Sequence, residues 1–299
     1  MNSRAQIRIL ADGRRLHMHD GPIDLVLEAF GIASEVEAAY RAAARRFVTV
    51  LDELCSELAF LRQPTHADGP LPAGPIARRM VAAVRPYASR TFITPMAGVA
   101  GAVAEEILEG MTTAAELSRA YVNDGGDIAL HLTPGEKFVV GMVERPDHPS
   151  LFGTTTIDAS QPVRGIATSG WRGRSFSLGI ADAVTVLSDT AAMADAAATI
   201  IANAVDLPGH PNIKRVPACD LAPDSDLGHR LVTQSVGDLR PDEIHGALSA
   251  GVHVADSLRI AKLIRAAAIN LRGQTRIVGG EYSPLSSNES GTERNLIHA

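Results

Sequence analysis

From Ser34 to about Leu61, apolar residues return every three or four positions, at Val36, Tyr40, Ala44, Phe47, Leu51, Leu54 and Leu58, with no proline or glycine between them. That spacing predicts a long amphipathic helix with Ser34 as its N-cap. The stretch before it is built differently. IRIL, RRLHMH and IDLVLEA are short runs separated by Asp12-Gly13 and Asp20-Gly21-Pro22, a pattern that predicts three strands joined by tight turns. Residues 62–75 (RQPTHADGPLPAGP) hold four prolines and two glycines and predict an exposed loop. A helix is expected near 76–86, and another from about Pro95 to Gly110, rich in Ala, Gly and Val. AYVNDGGDIALHL, KFVVGMV, TTTID, VRGIATSG and AVTVL read as strands of a central sheet. Thr190 to about Val205 reads as an alanine-rich helix, and Pro241 to Leu271 as one long or two broken helices. The polar stretch 281–299 has no caps and is expected to be a disordered tail.

Length adds a bound: 299 residues suit one large domain, here expected over 1–280, or two closely packed ones. At 45% hydrophobic and 21% charged, the chain has the apolar content to bury a core. A net charge of −6 and only 4% aromatic residues argue against a nucleic-acid partner, which calls for a basic face with interleaved aromatics. Only three of the 28 basic residues are lysines (Lys137, Lys214, Lys262), so arginine is the expected ligand for a phosphate or carboxylate. The first residues lack the basic-then-apolar pattern of a secretory signal, and no apolar run approaches the roughly 18–20 residues that span a bilayer. A cytoplasmic location without a membrane partner is the expectation. Cys55 and Cys219 form no CxxC and are expected to be buried free thiols.

Three segments could carry chemistry. Asn123-Asp124-Gly125-Gly126-Asp127 lies between two strand-like runs, where paired glycines either let the backbone approach a ligand or simply make a tight hairpin turn. Thr168-Ser169-Gly170-Trp171-Arg172-Gly173-Arg174 follows a strand. Its two arginines could clamp an anion while Trp171, the one tryptophan, stacks on a ring; a solvated polar loop is the plainer reading. On the alanine-rich helix, Asp195 and Thr199 are four apart and share a face, a pair of hard oxygen ligands suited to Mg²⁺, or else a cap and a back-bonded hydroxyl. No GxGxxG, Walker A, GxSxG or HExxH pattern occurs, which removes the commonest dehydrogenase, NTPase, esterase and zinc-protease readings.

Taken in order, Val122 to Asp127, Thr168 to Gly170 and Ala194 to Thr199 resemble the VNxGGD turn, TSG turn and ADxxxT helix of the ApbE-like FAD:protein FMN transferases. With GPIDLVLEA near the start and SGWRGRSFSLGIADAVTV, the chain to about Gly280 looks like a distinct cytoplasmic family related to those transferases. The resemblance implies an α+β, ApbE-like fold, with a central, mostly antiparallel sheet flanked by alanine-rich helices. It implies a flavin (FAD or FMN) or another anionic small metabolite as ligand and Mg²⁺ held by Asp195 and Thr199. By the same analogy Asn123, Gly125, Gly126 and Asp127 become nucleotide-pocket candidates; Thr168, Ser169, Gly170, Trp171, Arg172 and Arg174 are ligand-binding candidates from the loop itself, and Asp127 and Asp182 are candidates for base or orienter. Two departures stand out. Gly98 to Val103 lacks the Lys and Tyr of the transferases' Gly-Ile-Ala-Lys-Gly-Tyr segment, and Arg172, Arg174 and Asp182 stand where those proteins carry a histidine segment. A binding protein that has lost transfer chemistry, and a noncatalytic assembly protein or homo-oligomer, are the alternative expectations.

Overall fold

The computed structural model describes residues 4–143, 151–280, 283–284 and 296–298. In chain order the elements are β1 (Gln6–Ile9), β2 (Leu16–Asp20), β3 (Ile23–Phe30), α1 (Ala33–Ser56), α2 (Leu58–Leu61), α3 (Pro75–Val84), α4 (Val99–Ala114), β4 (Arg119–Asp124), β5 (Asp127–Leu132), β6 (Lys137–Val143) and β7 (Leu151–Asp158). Then follow β8 (Gly165–Ser169), β9 (Ala183–Ser188), α5 (Ala191–Ala204), β10 (Ile213–Pro217), α6 (Ala218–Leu221), β11 (Leu231–Val236), α7 (Pro241–Ile260), β12 (Ala266–Leu271), β13 (Gln274–Val278), β14 (Ser283–Pro284) and β15 (Leu296–His298). Mixed helix and antiparallel sheet is what the sequence led us to expect. Among the described residues no helix is long and apolar enough to cross a membrane.

The chain divides into two compact units. The first holds residues 1–137, 158–166 and 190–194, and the second holds 138–157, 167–189 and 195–299. In the first unit β1 to β5 form an antiparallel meander, and the start of β8 adds to it through the pairs Ile128↔Ile166 and Ala129↔Gly165. Alternation along β2 and the first half of β3 sends Leu16, Met18, Leu25 and Leu27 inward, the period-2 signature of a sheet with one covered face. α1 and α4 supply the cover with Phe47, Val50, Val103, Ile107 and Met111, all fully buried. Gly101 and Gly165 have no room for a side chain: a Cβ on either would lie 2.4 or 2.1 Å from the backbone at the start of α5. β1 is the outer strand among the described residues, and all four of its side chains are exposed, Ile7 and Ile9 included.

In the second unit the order β8, β9, β12, β13 continues as paired strands, with β12 antiparallel to both of its neighbours. α7 packs on β12 and β13, and its Gly251 lies against Val205 and Ile269. β10 and β11 make a separate hairpin, and β14, β7, β6 and β15 a small sheet.

Three expectations need correction. The segment from Pro241 to Leu271 is helical only to Ile260; AAAINL forms β12, buried at every position, so the alternation that would have marked a strand is missing. The N-cap of α1 is Ile32, two residues before the expected Ser34, so Ser34 sits inside the first turn; the helix breaks at Glu57 before the single turn of α2. The Glu57 carboxylate instead accepts hydrogen bonds from the Ala73 and Gly74 amides, the latter being the N-cap of α3. The cysteines are not buried: Cys55 is exposed and Cys219 half-buried. The expected tail at 281–299 falls outside the described residues except for Ser283–Pro284 and Leu296–His298, which pair with β7 and β6.

Candidate functional site

Strand β8 delivers Thr168 and Ser169 to its end, where Gly170 permits a close return of the chain. A Cβ at Gly170 would meet the Asp182 carbonyl oxygen at 2.5 Å. The loop is pinned by Trp171 N–H donating to the Ala181 carbonyl (3.0 Å) and Gly173 N–H to the Gly170 carbonyl (3.0 Å). This geometry puts Trp171 and Arg172 beside Asp182, whose side chain is almost completely buried.

Asp182 is the hub of the second unit's candidate site. Its Oδ1 accepts hydrogen bonds from Trp171 Nε1 (3.1 Å) and Arg172 Nε (2.7 Å), and its Oδ2 accepts one from the Arg272 backbone N–H (2.6 Å). Its own N–H donates to the Asn270 carbonyl on β12. Burying a carboxylate is costly unless donors surround it, and three do so here. The Arg172 guanidinium lies 4.3 Å from the centre of the Trp171 ring, close enough for a cation–π contact. Trp171 and Arg172 are thus stacked on one another and both tied to the same buried carboxylate.

Sequence reasoning missed Arg272. It has φ 52° in the two-residue turn between β12 and β13, with Gly273 following at 73°, a left-handed pair characteristic of tight hairpins. A non-glycine residue there costs strain, which its amide's bond to Asp182 and its guanidinium's bonds to the Val236 and Gly237 carbonyls offset. The sequence signal was present: Arg-Gly between the apolar runs AAAINL and QTRIV.

The other candidates are placed as follows. Thr168 shares a 2.9 Å hydrogen bond with Thr185 on β9, and Ser169 is half-buried. Arg174 is exposed in the same loop. Asp195 and Thr199 stand one turn apart on α5, both half-buried among the buried alanines Ala196, Ala197 and Ala198. Asn123 to Asp127 belong to the first unit, where Gly125 (φ 64°) and Gly126 (φ 114°) form a two-residue turn between the paired Asp124 and Asp127. Asn123 Oδ1 accepts the Gly126 N–H at 2.8 Å, so turn formation alone accounts for three residues of the motif.

Two further observations concern ligands. Among the described residues no group of three or more His, Cys, Asp or Glu is arranged to hold a metal. The Asp195–Thr199 pair nevertheless fits Mg²⁺ by donor chemistry, since that ion keeps waters and leans on substrate phosphates and needs only one or two protein oxygens. In the first unit a cavity of about 320 Å³ is lined by Phe60, Pro64, Thr65, His66, Val81 and Pro95. The Thr65 hydroxyl is buried and has no hydrogen-bond partner among the described residues.

The fold and its motifs thus define an α+β protein with a motif-bearing antiparallel core. Residues 7–277 match the family described as "AbpE bacteria", and the chain belongs to that family. Among related sequences, a UPF0280 protein of Methanopyrus kandleri is 38% identical over 129 residues, 43% of this chain and 48% of its own. A UPF0280 protein of Methanothermobacter thermautotrophicus is 38% identical over 146 residues, 48% of this chain and 51% of its own. The chain spans about half the length of the curated relatives it matches. Among solved structures, the apo form of the Pseudomonas stutzeri flavinyl transferase ApbE aligns over 94% of this chain and 93% of its own, at 12% identity and a TM-score of 0.44. A mutant of the Vibrio cholerae flavin transferase ApbE aligns over 92% and 96%, at 11% identity and a TM-score of 0.35.

Proposed function

We propose that this protein binds an anionic, nucleotide-like small metabolite, with flavin nucleotides the first candidates, and does so at the turn from Thr168 to Arg174. The observation that carries the reading is the Trp171–Arg172 pair held by Asp182: one loop sets an aromatic ring, a partner for a planar ligand, next to a guanidinium, a partner for a phosphate or carboxylate. Arg174 adds positive charge from the exposed part of the same loop. Asp195 and Thr199 would hold Mg²⁺, which when bound offsets the charge of a diphosphate and polarises its oxygens. In the first unit, taken by itself, Asn123, Gly125, Gly126 and Asp127 carry over a nucleotide-pocket candidacy from the motif, with Asp127 also the candidate orienter or base.

Asp182 orients rather than transfers protons. Three donors already engage its two oxygens, and a group spent on holding Trp171 and Arg172 in place is poorly disposed to take a proton from a substrate. The same observation, with Gly98 to Val103 lacking the Lys and Tyr of the transferases, supports a second reading in which the protein binds its ligand without turning it over.

Isothermal titration with FAD, FMN and ADP, each with and without Mg²⁺, tests the proposal. Binding that depends on Mg²⁺ and is lost in Asp195→Asn is the expected result. If Asp195→Asn binds every nucleotide as well as the parent, the metal assignment is wrong; if Arg172→Ala also leaves binding intact, so is the site.

A further inference from the structure

The hairpin of β10 and β11 does not end at its last paired residues, Pro217 and Leu231. Ala218 N–H donates to the Arg230 carbonyl and Cys219 N–H to the Gly228 carbonyl, both at 2.9 Å, so the two chains stay clamped for two more residues. Gly228, at φ 56°, bends the returning chain, and the single turn of α6 fixes Cys219 on the other side. The clamp sets Cys219 and His229 face to face. Sγ and the imidazole Nδ1 are hydrogen-bonded at 3.3 Å, and Sγ also reaches the Asp220 carboxylate at 3.8 Å, a longer hydrogen bond by the wider limits sulfur allows. His229 is exposed and Cys219 half-buried, so solvent and small solutes reach the pair.

A thiol in hydrogen-bond contact with an imidazole is a nucleophile with its base already in position. We infer that Cys219 is a site of reversible modification by low-molecular-weight disulfides, with His229 as the base that activates it. Nδ1 of His229 takes the thiol proton as Sγ attacks one sulfur of the disulfide. A new S–S bond forms to Cys219, the old S–S bond breaks, and the departing thiolate recovers the proton from the imidazolium. Cys219 is oxidised and the small disulfide is reduced by the same electron pair, so the disulfide is the only co-reactant. Excess small thiol reverses the step by the same route. The pair lies outside the Asp182 cluster, and the inference does not depend on the proposed ligand.

The chain carries its own control. Cys55, in the last turn of α1, is more exposed than Cys219, so access alone makes Cys55 the faster thiol. The experiment is the rate of thiopyridone release from the neutral probe 4,4′-dithiodipyridine at pH 7, using full-length Cys55→Ser and Cys219→Ser to isolate each thiol. Peptide mass mapping of the unmutated chain under limiting probe gives the same comparison without any substitution. Cys219 is expected to react about tenfold faster than Cys55, and His229→Gln to remove most of that advantage while leaving the circular dichroism spectrum unchanged. Equal rates for the two thiols in the mapping experiment, or a Cys219 rate indifferent to His229→Gln in folded protein, would overturn the inference.

Discussion

Replacing Asp182 by alanine tests the central geometry most directly. The substitution leaves three donors behind: the Trp171 indole N–H, the Arg172 Nε–H and the Arg272 backbone N–H. Removing one partner of a buried charge pair costs about 3–5 kcal/mol. Trp171 and Arg172 keep some contact with water, with 17% of the Arg172 side chain accessible, so their share is discounted and the loss should be about 3 kcal/mol. For a chain of this length that lowers the melting midpoint by about 5 °C. Asp182→Asn keeps the shape and one acceptor oxygen but turns an amide against a donor, and should cost about 2 kcal/mol. Trp171 is the sole tryptophan, so its fluorescence reports the cluster alone, and far-ultraviolet circular dichroism follows the fold in parallel. Asp182→Ala should red-shift the native emission and lower both midpoints. A midpoint within about 1 °C of the parent with unchanged emission would mean that the three hydrogen bonds do not hold the cluster, and the ligand surface built on them would fall with it.

Two other outcomes follow from packing and burial. Gly165→Ala, whose Cβ would sit 2.1 Å from the Thr190 backbone, should destabilise by about 3 kcal/mol in urea unfolding, and a change below about 0.5 kcal/mol would show that the start of α5 can move. Burial raises the pKa of Tyr40, Tyr87 and Tyr121, with the Glu28 carboxylate adding to the effect at Tyr121. Because these folded pKa values exceed the unfolded value of about 10, the stability they confer is complete below that pH and is lost as pH rises through the folded values. Ultraviolet titration should therefore show these tyrosines still largely protonated near pH 10 in native protein and about half ionised there in urea; ionisation at the ordinary pH without unfolding would contradict their burial.

The parts of the fold that announced themselves were those with one wet face. β2 and β3 alternate, α1 shows a helical period, and the turns at Gly21 and Gly125-Gly126 carry the residues such turns require. β12 hid because it is covered on both sides and made largely of alanine, which favours helix when read locally. β10 and β11 were missed since thirteen residues and a helical turn separate them, too long a gap for a hairpin signal. The candidate site divides in the same way. Trp171, Arg172 and Asp182 were legible as residue types in a loop, but nothing local tells that Asp182 meets an amide at position 272; only the pairing of β9 with β12 brings those chain segments together.

The outer strand β1 carries a consequence for the behaviour of many molecules at once. Among the described residues its outer margin pairs with no strand and offers backbone donors and acceptors flanked by exposed Ile7 and Ile9, the composition of a surface that recruits another strand and grows by addition. Arg8 stands between the two isoleucines. A like charge repeated on every copy makes edge-to-edge stacking repulsive, so one exposed side chain acts as a colloidal guard, and its hold weakens as salt screens it.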